Sequence, residues 1–204
     1  MSGPPAFDTG FAQQFAELLR WRRDVRRFRR DPVPAELIDD LLAQTQLSPS
    51  VGHSQPWRWL AVTEAAQREA VQESFRRCNA EALAAYEGER AALYARLKLE
   101  GLREAPVQFA VFCDHGTQRG HGLGRQTMPE MLDYSVVAAI TQFWLAARIH
   151  GLGIGWVSIL EPAEIAAALG APPEWKLIAY LCIGWPEEEC AVPELVKAGW
   201  ETGR

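Results

Sequence analysis

The sequence predicts an α+β domain, or an α/β domain with a mixed sheet, and three observations carry that expectation. Four short apolar runs read as strands, amphipathic helical stretches separate them, and one almost wholly apolar helix lies between the second and third strand. A chain of 204 residues is long enough for one such core, so residues 1–204 are read as a single domain.

The elements follow in order. Phe11, Phe15, Leu18 and Leu19 share one stripe at helical spacing, which predicts a helix over 11–21. Pro34 suits the first turn of a second helix, whose apolar face is Leu37, Ile38, Leu41 and Leu42. That helix ends before SPSVGHSQP, where Pro49, Gly52 and Pro56 break regular structure. WRWLAV (57–62) reads as a strand, and the alanine- and glutamate-rich stretch 64–100 as helix, in two pieces broken near Gly88. VQFAVFC (107–113) is a second strand, and DHGTQRGHGLGRQTMP a glycine-rich loop. MLDYSVVAAITQFWLAARIHG is the apolar helix, stopped at Gly151. IGWVSI (154–159), EPAEIAAALG and WKLIAYLCIGW complete the order as strand, short helix and strand.

Composition narrows the function. A 48% hydrophobic share and eight tryptophans fit a packed interior. A formal net charge of −5 argues against general nucleic-acid binding. No apolar run is long enough for a membrane span, and MSGPPAFDTG is unlike a signal peptide. Cys78, Cys113, Cys182 and Cys190 show no CxxC spacing, so they are expected to be reduced thiols of a cytoplasmic protein, two of them in the core.

Against the acidic balance, WRRDVRRFRRDPVP places six arginines between Arg22 and Arg30, with Asp24 among them. Placed at the end of the first helix, Arg22, Arg23 and Arg26 recur at helical spacing, so their guanidinium forks can converge on a phosphate. A solvated basic helix end is the plain alternative. SPSVGHSQPW adds backbone donors and small residues that let a planar ligand approach. Together these point to a nucleotide-like cofactor. GLGIGW (151–156) does not supply a dinucleotide fold, because its glycines end a helix and open a strand, the reverse of the phosphate-cradling order. It reads as a helix cap followed by a close backbone approach. GHGLGR (120–125) lacks the third glycine and reads as a loop. Cys113, Asp114, His115 and His121 match no closed zinc pattern, so no metal is expected. Ser158 lacks the elbow of a hydrolase nucleophile.

RRDVRRF, PSVGHSQPW, GLGIGWVSIL and AYLCIGWPEEE, in this order and spacing, resemble the nitroreductase-like flavoproteins over roughly residues 14–200. Within that superfamily, Asp24 where nitroreductases usually carry serine, the stretch GER..LYARLKLEG..EAPV (88–107) and GWVSIL resemble the branch that makes dimethylbenzimidazole from flavin.

The resemblance implies an α+β nitroreductase-like fold with a mixed four- to five-stranded sheet surrounded by helices, FMN at a homodimer interface, and a lid-like helical insertion at about 81–104. It implies that Arg22, Arg23 and Arg26 hold the phosphate and ribityl end, with Asp24 and Val25 in the same wall. Ser50 and Gly52 would line the flavin loop, Lys98 and Leu99 would arrive from the insertion, and Gly155 and Ser158 would sit against the ring. Asp24 and Ser158 are the implied catalytic residues. The implied reaction consumes reduced FMN and dioxygen, releases 5,6-dimethylbenzimidazole and erythrose 4-phosphate, and draws on a separate flavin reductase. An NAD(P)H-dependent nitroreductase or flavin oxidoreductase is the alternative, and a non-catalytic flavin-binding protein a third. His53 stands where nitroreductases often carry asparagine, and PEEE replaces a basic tail, which would leave the phosphate to the N-terminal arginines.

Overall fold

In the computed structural model, which describes residues 3–203, the chain runs α1 (Thr9–Trp21), α2 (Ala35–Thr45), β1 (Trp57–Ala61), α3 (Ala65–Ala84), α4 (Gly88–Tyr94), β2 (Val107–Asp114), α5 (Met131–Ile149), β3 (Gly153–Val157), α6 (Pro162–Ala168), β4 (Trp175–Gly184) and α7 (Glu194–Lys197). The order matches the sequence expectation, with one-turn 3₁₀ segments at Val51–His53 and Arg119–Gly122 and the short α7 as additions.

The strands form one sheet in the order β1-β2-β4-β3, each neighbouring pair antiparallel. The parallel element is an isolated bridge between Asp24 and Ile154 at the β3 edge. Because successive strand residues face opposite sides, Phe109, Val111 and Cys113 of β2 join Leu181 and Ile183 of β4 in a core under α5 and α2. Ala110, Phe112, Tyr180 and Cys182 face the other way, packing with Val71 and Phe75 of α3 and Ile165 of α6. The sheet is therefore covered on both faces, which explains why β2 and β4 read as continuous apolar runs. Burial drives both Cys182 and Tyr180 to higher pKa, and the Tyr180 hydroxyl donates to Gln108 Oε1 at 2.7 Å. Among the described residues, no helix is long and apolar enough to cross a membrane.

Three expectations need correction. The helix expected to reach residue 100 breaks at Gly88 (φ 56) as foreseen, but α4 stops at Tyr94. The Lys98 carbonyl instead accepts from Arg26 Nη1 at 3.0 Å. The strand expected over 154–159 ends at Val157, the last residue paired with β4.

The third correction concerns the arginines. They do not continue the first helix: Arg22 is its extended C-cap (φ −68, ψ 118), and the following chain lies along the sheet. Val25 N–H donates to Ile154 O at 2.9 Å and Arg29 N–H to Trp185 O at 2.9 Å. The backbone donors that a helix would have turned inward are spent on β3 and on the strand exit after β4. Glycine makes this contact possible, since a Cβ on Gly155 would stand 2.2 Å from the Val25 carbonyl oxygen.

Gly155→Ala should therefore push the arginine segment off the sheet edge. We expect a loss of about 1–3 kcal/mol, seen as a fall in Tm of several degrees. An unchanged melting temperature would show that the segment is not held there.

Candidate active site

The geometry grows from the bridge at Asp24. Its carboxylate completes what the backbone begins: Oδ1 accepts from the Trp156 N–H at 2.9 Å, and Oδ2 from Arg26 Nε at 2.9 Å. The side chain is about one-third exposed (34%), while that of Arg26 is 12% exposed. Arg26 then reaches the Lys98 carbonyl, tying the segment after α4 to the arginine strand. Arg23 turns to the C-terminal segment, its Nε and Nη2 donating to Ala191 O at 2.8 and 2.5 Å. Burial and the neighbouring Arg22 lower the Arg23 pKa. Arg27 pairs with Glu194 of α7.

These groups wall a cavity of about 330 Å³ with Arg23, Asp24, Val25, Arg26 and Lys98 on it. Arg27, Arg96 and Lys197 raise its cations to six, against the carboxylates of Asp24, Glu188 and Glu194. Such an excess of guanidinium and ammonium groups suits a dianionic phosphate, so the donor set fits the phosphate end of FMN. Arg22 does not line this cavity. Its guanidinium lies 5.0 Å from the Trp144 ring centroid, beside a separate small cleft that Arg23 also lines.

Arg96 and Lys197 line this cavity and were not named from the sequence. The acidic PEEE stretch concealed that the chain beyond it returns a lysine to the cavity, where Lys197 holds the Cys190 thiol below its ordinary pKa. The return is secured by aromatic packing: Trp200 meets Tyr86 and Tyr94 edge-on at 5.5 and 5.9 Å, with Arg90 over its face at 4.6 Å. The stretch from Tyr86 to Tyr94 and the C-terminal segment thus form one clasp.

The remaining predicted residues divide. Leu99 packs at the margin of the core beneath α3. Gly155 is buried, with Val25 at its α-carbon. Ser158 is exposed just beyond β3. Ser50 and Gly52 do not line the arginine cavity. Their loop is closed by Gln55 N–H donating to Ser50 Oγ at 3.1 Å, and moored to α5 by Val51 N–H donating to Ser135 Oγ at 3.0 Å. Gly52, His53 and Gln55 all have positive φ (57, 55 and 47). Left-handed backbone at two non-glycine residues is strained, as is common at ligand-binding loops. Gly52 and Gly120 let the glycine-rich loop pack directly on it, since a Cβ at Gly120 would stand 2.6 Å from Gly52 O. His53 is exposed.

Beside this loop runs an apolar groove lined by Phe11, Phe15 and Leu18 of α1, Ser48 and Pro49, and Leu145 and Ile149 of α5. The stripe read from the sequence is real, yet α1 buries none of its residues, leaving Phe11, Phe15 and Ile149 exposed.

Comparison with known proteins agrees with this architecture. Residues 19–185 match the model of the nitroreductase family. The chain is 56% identical to 5,6-dimethylbenzimidazole synthase of Rhodospirillum rubrum over 200 residues, 98% of this chain and 95% of that protein. It is 46% identical to the protein of the same name from Rhodobacter capsulatus, over 96% and 94% of the two chains. Among solved structures, iodotyrosine deiodinase bound to FMN and 3-iodo-L-tyrosine superposes with a TM-score of 0.72 at 23% identity, over 86% and 91% of the chains. A BluB-like flavoprotein from Clostridium difficile 630 gives 0.67 at 21% identity, over 88% and 93%. On this match in sequence and fold, the chain belongs to the nitroreductase family.

Proposed function

We propose that the chain is a 5,6-dimethylbenzimidazole synthase, converting reduced FMN and dioxygen to 5,6-dimethylbenzimidazole and erythrose 4-phosphate, with the pyrimidine portion of the flavin ring released as a third product. The observation that carries the reading is Asp24, a carboxylate fixed in the wall of a cation-rich cavity. An acid beside the arginines opposes the binding of a phosphate, and proton transfer with the bound ligand gives it a use there beyond its structural bonds. Near-full-length identity to two synthases supports it.

When bound, reduced FMN supplies both the electrons for dioxygen and the carbon skeleton of the product. The protein's part is binding, orientation and proton movement. Arg23, Arg26, Arg96, Lys98 and Lys197 hold the phosphate, while the clasp of Tyr86, Tyr94 and Trp200 shields the cavity from water. Each Asp24 oxygen accepts one hydrogen bond and keeps a second lone pair, so the anchored carboxylate can still take a proton from the ribityl chain. Ser158, free of secondary structure at the end of β3, offers a hydroxyl to the ring. The Ser50–Gln55 loop of a second copy completes the site, its approach driven by burial of the apolar face of α1 and α5. A separate flavin reductase supplies the reduced FMN.

Arg26→Ala should weaken FMN by about ten- to a hundredfold while affecting riboflavin much less, because a charged hydrogen bond to phosphate contributes roughly 1.5–3 kcal/mol. Titrating both flavins checks this, and equal losses would make Arg26 a purely structural tie between Asp24 and Lys98.

Given excess reduced FMN in air, the wild-type protein should yield dimethylbenzimidazole. Asp24→Asn keeps an acceptor for the Trp156 N–H, so FMN affinity should stay within a few-fold. Product should disappear, with oxidised FMN and hydrogen peroxide recovered instead. Full yield from the variant at saturating flavin would remove the catalytic role. A wild-type protein that makes no dimethylbenzimidazole but oxidises NADH rapidly with a nitroaromatic acceptor would be an ordinary nitroreductase.

A further inference from the structure

Away from the flavin cavity, the structure gathers a set of side chains that its residue spacing does not announce. Cys113, the penultimate residue of β2, faces the α5 side of the sheet and is fully buried. Asp114 turns to the opposite face, where it pairs with Arg58 at 2.6 Å, and His115 follows with its N–H donating to Glu174 O at 3.0 Å. Asp133, in the first turn of α5, comes over the strand end. The result is a thiol, an imidazole and a carboxylate whose ligand atoms all lie within 4.8 Å of one another. Asp114 and His121, which sequence spacing had grouped with Cys113 and His115, are not members.

We propose that Cys113, His115 and Asp133 form a zinc site, with the fourth position open to water. The donor set selects the metal: a thiolate disfavours magnesium and calcium, while sulfur, nitrogen and oxygen together suit zinc. Tetrahedral zinc at its usual bond lengths spaces such ligands roughly 3.3–3.6 Å apart. The His115–Asp133 contact of 2.7 Å must open slightly and the thiol draw in. His115 is exposed and free to adjust its side-chain torsions, whereas Cys113 and Asp133 are rooted on a central strand and a buried helix.

The present occupant is Lys176. Its ammonium lies 2.6 Å from Asp133 Oδ2, and its backbone is the cross-strand partner of Cys113. The lysine side chain is 60% exposed, so a metal can displace it into solvent at small cost. None of the four residues lines the flavin cavity, so zinc would join β2 and α5 independently of FMN.

The test uses full-length protein stripped of metal by a chelator, then titrated with zinc against a chromophoric competitor and, separately, with cobalt(II). One equivalent per chain should bind, with a cobalt spectrum showing thiolate charge transfer and tetrahedral ligand-field bands. His115→Ala, at an exposed position, should lower zinc affinity by at least about tenfold, the loss that even outer-sphere partners of a ligand cause. Cys113→Ala should abolish the thiolate band, and where that buried substitution compromises folding His115→Ala decides alone. Lys176→Met should raise affinity several-fold by removing the competing ammonium. Zinc should also raise Tm in the wild type, and by less at the same zinc concentration in His115→Ala. No binding of zinc, or equal affinity in wild type and His115→Ala, overturns the proposal.

Discussion

The molecule turns on a short contact in which an extended, arginine-bearing segment lies against the edge of β3. Val25 bonds to Ile154, the Asp24 carboxylate bonds to the next free amide at Trp156, and Gly155 between them has no side chain to hold the strands apart. The acid among the arginines thus has a structural reason as well as the proposed chemical one. It caps an edge donor that would otherwise lack a partner and neutralises one face of Arg26. The chain after α4 and the C-terminal segment are both tied to this segment, the first through Lys98 and the second through Ala191 and Glu194.

The same arrangement separates two halves of the proposed site. Arginines and acid stand at the β3 edge, whereas the strained Ser50–Gln55 loop is moored to α5 beside an exposed apolar groove. A helix with Phe11, Phe15 and Leu18 on one face and nothing buried is poorly stabilised alone. A second copy related by a two-fold axis would cover that face and bring the loop of one chain toward the arginines of the other.

Much of this was legible from the residues. Apolar periodicity located the helices and strands because β2, β4 and α5 are buried on nearly every side and carry little else. The reading of GLGIGW as a cap and a close approach holds: Gly151 has φ 77, and Gly153 and Gly155 lie against Val25. The arginines were misplaced for a reason periodicity cannot supply. Spacing of Arg22, Arg23 and Arg26 is compatible with a helix, but bonds to residues more than a hundred positions away make the segment extended, turning Arg22 onto Trp144. Lys197 and Arg96 were invisible for the same reason, since only tertiary packing of Trp200 on Tyr86 and Tyr94 brings their chains together. The grouping of Asp133 with Cys113 and His115 likewise depends on where α5 crosses the end of β2.

The central claim is that each site draws its acid from one chain and its flavin loop from the other. Co-expressing an Asp24→Asn copy with a Ser50→Arg copy, each inactive alone, tests this directly. A shared site leaves one intact centre in every mixed dimer, so dimethylbenzimidazole formation should return to about a quarter of the wild-type level under random pairing. If both halves belonged to a single chain, the mixture would remain as inactive as its parents.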